Sequence, residues 1–298
     1  MAHAAFAPAK VNLFLHVGPR AGDGYHPICS LMVFADVGDR IVLTRRGGLA
    51  LSIDGPFAEG LTSGAANLVA RARLAILAAA RLDPPPFELA LTKRLPTASG
   101  LGGGSSDAAA ALRLIDEALN LNLDAEVLAR IAGALGADVP ACLGARPAVA
   151  RGRGERLEAA PAMPALPAVL VNPRLAAPTA EIFAIFDQMS RPDHCMDPNL
   201  PQTFETAVEV ALFLGQCRND LEPAALARDG VVGEVLSVLR DQSETLLARL
   251  SGSGASCFAL CASEAGAARL AGRLGQLRPS WWIKPCRLGG PWSGPRDA

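Results

Sequence analysis

The strongest constraint in this chain is a loop, Pro96-Thr97-Ala98-Ser99-Gly100-Leu101-Gly102-Gly103-Gly104-Ser105-Ser106, that runs directly into a helix-forming stretch from Asp107 to Leu119. Gly100, Gly102, Gly103 and Gly104 carry no Cβ, so the backbone there can take positive φ and approach an oxygen closely. Free N–H groups and the dipole at the start of a helix favour negative charge, and Ser105 and Ser106 add hydroxyl donors at the same place. A triphosphate is the natural ligand of such a loop. It is not a Walker loop, because no Gly-Lys-Ser/Thr follows the glycines, and it lacks the acidic residue that a dinucleotide fingerprint needs at the end of the next strand. The alternative is a tight loop in which Ser105 or Ser106 merely caps the helix. Three consecutive glycines between Pro96 and Ser105-Ser106-Asp107 weigh against it.

Composition narrows the partners. The chain has 298 residues, 50% hydrophobic and 19% charged, with a formal net charge of -1. A disordered chain would be poorer in apolar residues, and a nucleic-acid binder would carry a basic excess. The length suits two domains or one large one. No segment supplies the roughly 18 uninterrupted apolar residues of a membrane span; the best, Ala65 to Ala80, is broken by Arg71 and Arg73. Lys10 and Asn12 fall inside the first apolar stretch, unlike a secretory leader, so a cytoplasmic location with neither a membrane nor a nucleic-acid partner is expected. Cys29, Cys142, Cys195, Cys217, Cys257, Cys261 and Cys286 are dispersed without CxxC spacing, which predicts reduced, mostly buried thiols. Two residue types are scarce: Lys occurs only at Lys10, Lys93 and Lys284, and Tyr only at Tyr25.

From Phe6 to Val17 the sequence alternates, with Lys10, Asn12, Phe14 and His16 on one face of a strand, so Lys10 and Asn12 project side by side. Ile28 to Val37 is another apolar segment, and further strands are predicted over Asp39 to Leu43, Phe87 to Thr92, Ala168 to Val171 and Cys257 to Cys261. Helices are predicted over Ala65 to Leu82, stopped by Pro84, Pro85 and Pro86, and over Asp107 to Leu119, Ala125 to Leu135, Thr179 to Met189, Phe204 to Leu214 and Gly230 to Arg240. Ala159 to Ala168, with Pro161, Pro164 and Pro167, reads as a linker. The elements mix without a strict βαβ rhythm, which predicts an α+β fold in two domains.

At this point the sequence resembles the GHMP kinases (galactokinase, homoserine kinase, mevalonate kinase, phosphomevalonate kinase). The match runs through separate motifs in order: Ala7 to Leu15, Asp23-Gly24-Tyr25-His26, the glycine loop, Leu135 to Pro140, Asn219-Asp220-Leu221-Glu222, and Leu250 to Ala255. The resemblance implies a two-domain GHMP kinase fold, with an ATP-binding domain over residues 1–160, a C-terminal domain over 161–298, and the active site in the cleft between them. It implies phosphoryl transfer from ATP to an alcohol, with magnesium bridging phosphate oxygens. The metal's protein ligands stay open, with Ser106 a candidate. The eleven loop residues from Pro96 to Ser106 would bind ATP. The family commonly has glycine or alanine where this chain has Ala98 and Ser99, and Ser99 is the departure that bears on the loop's hydrogen bonds.

By the same resemblance Lys10 and Asp138 would be the catalytic pair. Lys10 would favour the ionised form of a nearby carboxylate and steady the accepting oxygen, while Asp138 would orient the hydroxyl and take its proton. The alternatives are that Lys10 snorkels from a strand and that Asp138 caps a helix before Pro140. The segment from Asp23 to His26 resembles the branch that acts on 4-diphosphocytidyl-2-C-methyl-D-erythritol. There Tyr25 would stack on the cytosine and His26, by its imidazole or flanking backbone, would read the base edge. Phe183 would cover the base's other side, and Asn12 would bind the methylerythritol portion. A turn with a half-buried ring is the alternative for Tyr25 and His26, and an ordinary core residue for Phe183. Asn67, Leu68 and Lys93 resemble adenine-lining positions; Lys93 could equally be a solvated strand end.

Overall fold

A computed structural model describes residues 2–45, 48, 50–82, 87–189, 197–292 and 294. The first half runs β1 (Ala2–Val17), β2 (Ile28–Thr44), β3 (Ala50–Asp54), α1 (Leu68–Ala79), β4 (Glu88–Thr92), α2 (Gly103–Leu119), α3 (Ala125–Leu135), α4 (Val139–Gly144), β5 (Ala148–Gly152) and β6 (Arg156–Ala159). The second continues with β7 (Leu166–Asn172), α5 (Thr179–Gln188), α6 (Ala207–Gly215), α7 (Glu222–Arg228), α8 (Gly230–Arg240), β8 (Thr245–Leu250), β9 (Cys257–Cys261), α9 (Glu264–Leu277) and β10 (Trp282–Gly289). The α+β expectation holds.

β2 is the spine of the sheet. One of its edges carries β1 along its length; the other is shared by β5, β10 and β4 in turn. β10 then leads through β7 and β9 to β8, so strands from both halves join one sheet. The helices pack in separate groups: α1 to α4 cover one core with β2 and β4, while α5, α7, α8 and α9 cover a second with β7 and β9. Ala108, Ala109, Ala110 and Ala111 are all fully buried: this stretch of α2 has neighbours on every side, and only small side chains let them approach.

Several boundaries differ from the sequence reading for identifiable reasons. The apolar segment over Ile28 to Val37 and the strand expected over Asp39 to Leu43 are one strand, because Gly38 marks a close crossing and not a turn: a Cβ there would overlap the Ala7 carbonyl oxygen of β1. α1 begins at Leu68, capped by the Asn67 side chain, which accepts from the Val69 N–H at 2.9 Å. The prolines expected to stop it, Pro84, Pro85 and Pro86, lie outside the described residues, as does Cys195. α2 begins four residues before Asp107, since left-handed Gly102 lets Gly103 and Gly104 join the helix. The expected linker contains the end of β6, a bridge from Ala162 to Thr203, and the start of β7.

Among the described residues no strand pairs with the second edge of β1; loops and side chains fill it. The Lys10 N–H donates to Leu101 O at 2.8 Å, the Leu15 N–H to Arg218 O at 3.0 Å, and the Val17 N–H to the Asp220 carboxylate at 2.8 Å. Buried Arg249 donates to Leu13 O on β1 and to Leu214 O and Cys217 O at the end of α6. The candidate site residues Lys10 and Asn12 lie on this edge strand.

Candidate active site

The β1–β2 register slips between Pro8 and Lys10 and again between Asn12 and Phe14, so bulges bracket the two residues that alternation had put on one face. Bulges re-aim side chains. Lys10, only 5% exposed, donates from Nζ to Asn12 Oδ1 at 2.8 Å and meets Asp138 Oδ2 at 3.1 Å. Asn12 Nδ2 donates to Ser30 Oγ at 2.7 Å, and Ser30 Oγ donates to Phe14 O at 2.6 Å, which fixes the amide with its oxygen toward Lys10. Asp138 stands at the N-cap of α4 but its side chain makes no capping bond; its carboxylate turns to Lys10 instead. Lys10 therefore does not snorkel to solvent, and Asp138 is no cap.

The glycine loop lies against this pair. Gly102, at φ +61°, is the N-cap of α2, and a Cβ on it would come within 3.0 Å of Lys10 Cε. With no side chain capping α2, the N–H groups of its first turn are available to an anion. Ser105 and Ser106 thus do not supply a capping bond. Gly100, at φ +77°, touches the second small-residue loop: a Cβ would overlap Ser251 O and lie 2.8 Å from Gly254 N. The two loops are tied by Ser251 Oγ donating to Gly100 O and the Ser256 N–H donating to Ser99 O, both at 3.0 Å. Ala98 adopts φ +45°, a left-handed conformation that accounts for a preference for glycine there. The Ser99 hydroxyl turns inward, donating to Pro96 O at 2.7 Å, so the departure from glycine or alanine reinforces the loop. Ser106 Oγ is buried at the first turn with no protein partner.

Beneath that turn lies a feature the sequence reading missed. Lys93 is no solvated strand end: its Nζ donates to Asp39 Oδ2 and, at 2.7 Å, to Asp107 Oδ2, with all three side chains buried. Asp39 Oδ1 also accepts from the Arg94 and Leu95 N–H groups, whereas Asp107 Oδ1 has no partner. Burial above all pushes Asp107 up to about 8, against the pull of Lys93. Burial alone would lower Lys93, but the two carboxylates outweigh it and hold it above its ordinary range. Lysine scarcity pointed at Lys93, but nothing in the spacing joined it to an aspartate 54 residues earlier. Of the other adenine-lining candidates, Asn67 is committed as a cap, while Leu68 reaches within 3.6 Å of where a Gly104 Cβ would stand.

At the far end of β1, Tyr25 stands 57% exposed, with the Arg153 guanidinium 4.2 Å above its ring centroid. Asp23 shapes the turn, accepting from the Tyr25 N–H at 2.9 Å and pairing with Arg153. His26 is buried: Nδ1 meets Gly18 O at 2.8 Å and Nε2 meets Asp187 Oδ1 at 2.9 Å, so both ring nitrogens are engaged. Its ring stacks on Phe183, centroids 5.5 Å apart, and meets the edge of Phe186. Phe183 thus belongs to an aromatic cluster with His26 at the edge of the second core.

Family profiles match on both sides of this arrangement: GHMP kinases N terminal domain over residues 67–145 and GHMP kinases C terminal over residues 202–278. A 4-diphosphocytidyl-2-C-methyl-D-erythritol kinase from Caulobacter sp. (strain K31) is 52% identical over 288 residues, 96% of this chain and 98% of its own length. The chain belongs to that kinase family, within the GHMP kinases. A relative of the same name from Dinoroseobacter shibae is 44% identical over 96% of this chain and 94% of its own length. A crystal structure of 4-(cytidine 5'-diphospho)-2C-methyl-D-erythritol kinase superposes on this family member with a TM-score of 0.76 at 32% identity, covering 97% of this chain and all of that one.

Proposed function

We propose that this kinase transfers the γ-phosphoryl group of ATP to the 2-hydroxyl of 4-diphosphocytidyl-2-C-methyl-D-erythritol, giving the 2-phosphate and ADP in non-mevalonate isoprenoid precursor synthesis. The observation that carries the reading is the Lys10–Asp138 pair, 3.1 Å apart beside the uncapped first turn of α2. The bond from the γ-phosphorus to the bridging oxygen breaks, a bond to the substrate's 2-oxygen forms, and the hydroxyl proton passes to Asp138. Lys10 steadies the accepting oxygen and Asn12, held by Ser30, binds the methylerythritol portion. The N–H groups of the glycine loop hold the triphosphate.

Tyr25 offers its open face to the cytosine, with Phe183 opposite; since the His26 imidazole is engaged on both nitrogens, reading of the base edge falls to the main chain there. Magnesium bound together with ATP would offset charge on the phosphates. Ser106, with its unpartnered buried hydroxyl at the first turn of α2, would be a protein ligand for it. Residues 1–160 and 161–298 form the ATP-binding and C-terminal domains, a division supported by the spans of the two profiles. No described helix is long and apolar enough to cross a membrane, and the free, buried thiols support a reducing cytoplasmic setting. A coupled ADP-release assay offering the cytidyl substrate, homoserine and mevalonate tests the reading. Turnover is expected with the first; turnover confined to the other two overturns it.

A further inference from the structure

Arg113 lies on α2, about two turns beyond the glycine loop, and no carboxylate pairs with it among the described residues. Its guanidinium spends its donors on main-chain carbonyls instead. Nη1 donates to Cys142 O and to Leu143 O, both at 2.9 Å, and Nη2 donates to Phe6 O at 3.2 Å. Cys142 and Leu143 are in the last turn of α4, where carbonyls have no partner within the helix and the dipole is negative. Phe6 is on β1, four residues before Lys10. One planar cation therefore ties the strand that carries Lys10 to the short helix whose N-cap is Asp138.

The linkage to Asp138 is short. The Cys142 N–H donates to Asp138 O at 3.1 Å, so the peptide of Cys142 touches Arg113 through the following carbonyl and Asp138 through its own N–H. α4 is a single short helix with left-handed Ala145 after it, so a shift at its last turn moves its first. Burial lowers the pKa of Arg113, but a guanidinium keeps its charge, and its fork can serve several carbonyls at once where a lysine serves fewer.

We propose that Arg113 is a positioning residue for the phosphoryl transfer, setting the separation of Lys10 and Asp138 by clamping α4 to β1 from the helix that begins at the phosphate loop. The proposal rests on the catalytic reading of Asp138, and a double-mutant cycle separates the two. kcat and both KM values are measured, well below each melting temperature, for wild type, Arg113→Met, Asp138→Asn and the double variant. A misplacement of an ångström at the reacting pair is expected to lower kcat of Arg113→Met by about a hundredfold with both KM values nearly unchanged. Asp138→Asn should lose about 10²–10⁴ in kcat, and in that background Arg113→Met should cost less than about twofold more, because the group it positions is gone. Arg113→Lys should lie between wild type and Arg113→Met, and it carries the same cycle where the methionine variant does not fold. Unchanged kcat in the Arg113 variants, loss expressed in KM alone, or losses that multiply in the double variant overturn the role of Arg113. Unchanged kcat in Asp138→Asn overturns the catalytic reading and this proposal together.

Discussion

At the scale of single residues, the same chemistry takes opposite roles according to what surrounds it. Tyr25 and Phe183 are both aromatic, but Phe183 is stacked on His26 whereas Tyr25 keeps one face open and has Arg153 over its ring. Tyr25→Ala should therefore act on the nucleobase and not on the fold. KM for the cytidyl substrate is expected to rise about tenfold to a hundredfold, the size of one lost base stack, with KM for ATP nearly unchanged. Equal weakening of both substrates in steady-state kinetics would return the ring to a structural role. The pairing of Lys10 with Asn12 was legible from alternation alone, because two residues apart on a strand is always one face. The reach of His26 was not: a sequence shows an imidazole but not Asp187, which arrives from a helix 161 positions later.

At the scale of elements, the site is an interlock of two loops on the open edge of β1. Gly100→Ala would drive a methyl group into the Ser251 and Gly254 backbone while holding a left-handed φ. Overpacking of this kind costs about 1–3 kcal/mol, and since the loop leads into α2, KM for ATP should rise about tenfold or more. Thermal melts and ATP kinetics check this; a variant unchanged in both would mean the loops separate freely. Elements bounded by local signals were readable in advance: α3 and α8 end where expected, and β9 spans the predicted Cys257 to Cys261. Misreadings fell where a local signal serves a tertiary purpose. Gly38 looks like a turn but permits a crossing, and the glycines before Asp107 look like loop but form the first helical turn. The edge of β1 could not be read at all, because its hydrogen-bond partners are loops and arginines drawn from the whole chain.

At the scale of the molecule, the Asp39–Lys93–Asp107 cluster places two carboxylates and one ammonium in the interior. Asp39 accepts three donors and Asp107 one, so the shared proton belongs to Asp107, whose folded pKa, about 8, lies above its unfolded value of 3.8. The folded state then binds more protons than the unfolded chain between those values, so this cluster's contribution to stability is full below about pH 4 and is lost as pH rises toward 8. Asp107→Asn removes the titration and leaves Lys93 paired with Asp39. Melting temperatures recorded from pH 4.5 to 8.5 should show the variant gaining on wild type as pH increases; parallel curves would refute the assignment.

The sheet carries one more consequence, which concerns synthesis. β2 is complete early in the chain, but on the edge away from β1 residues Phe34 and Ala35 at its centre receive their neighbour only from Leu288 and Gly289 of β10. A ribosome must therefore translate from Ala35 on to Leu288 before the strand opposite Lys10 is sealed. Until then the nascent chain displays an open edge between β5 and β4 that invites pairing with other chains, and a truncation before Leu288 would leave that edge permanently exposed.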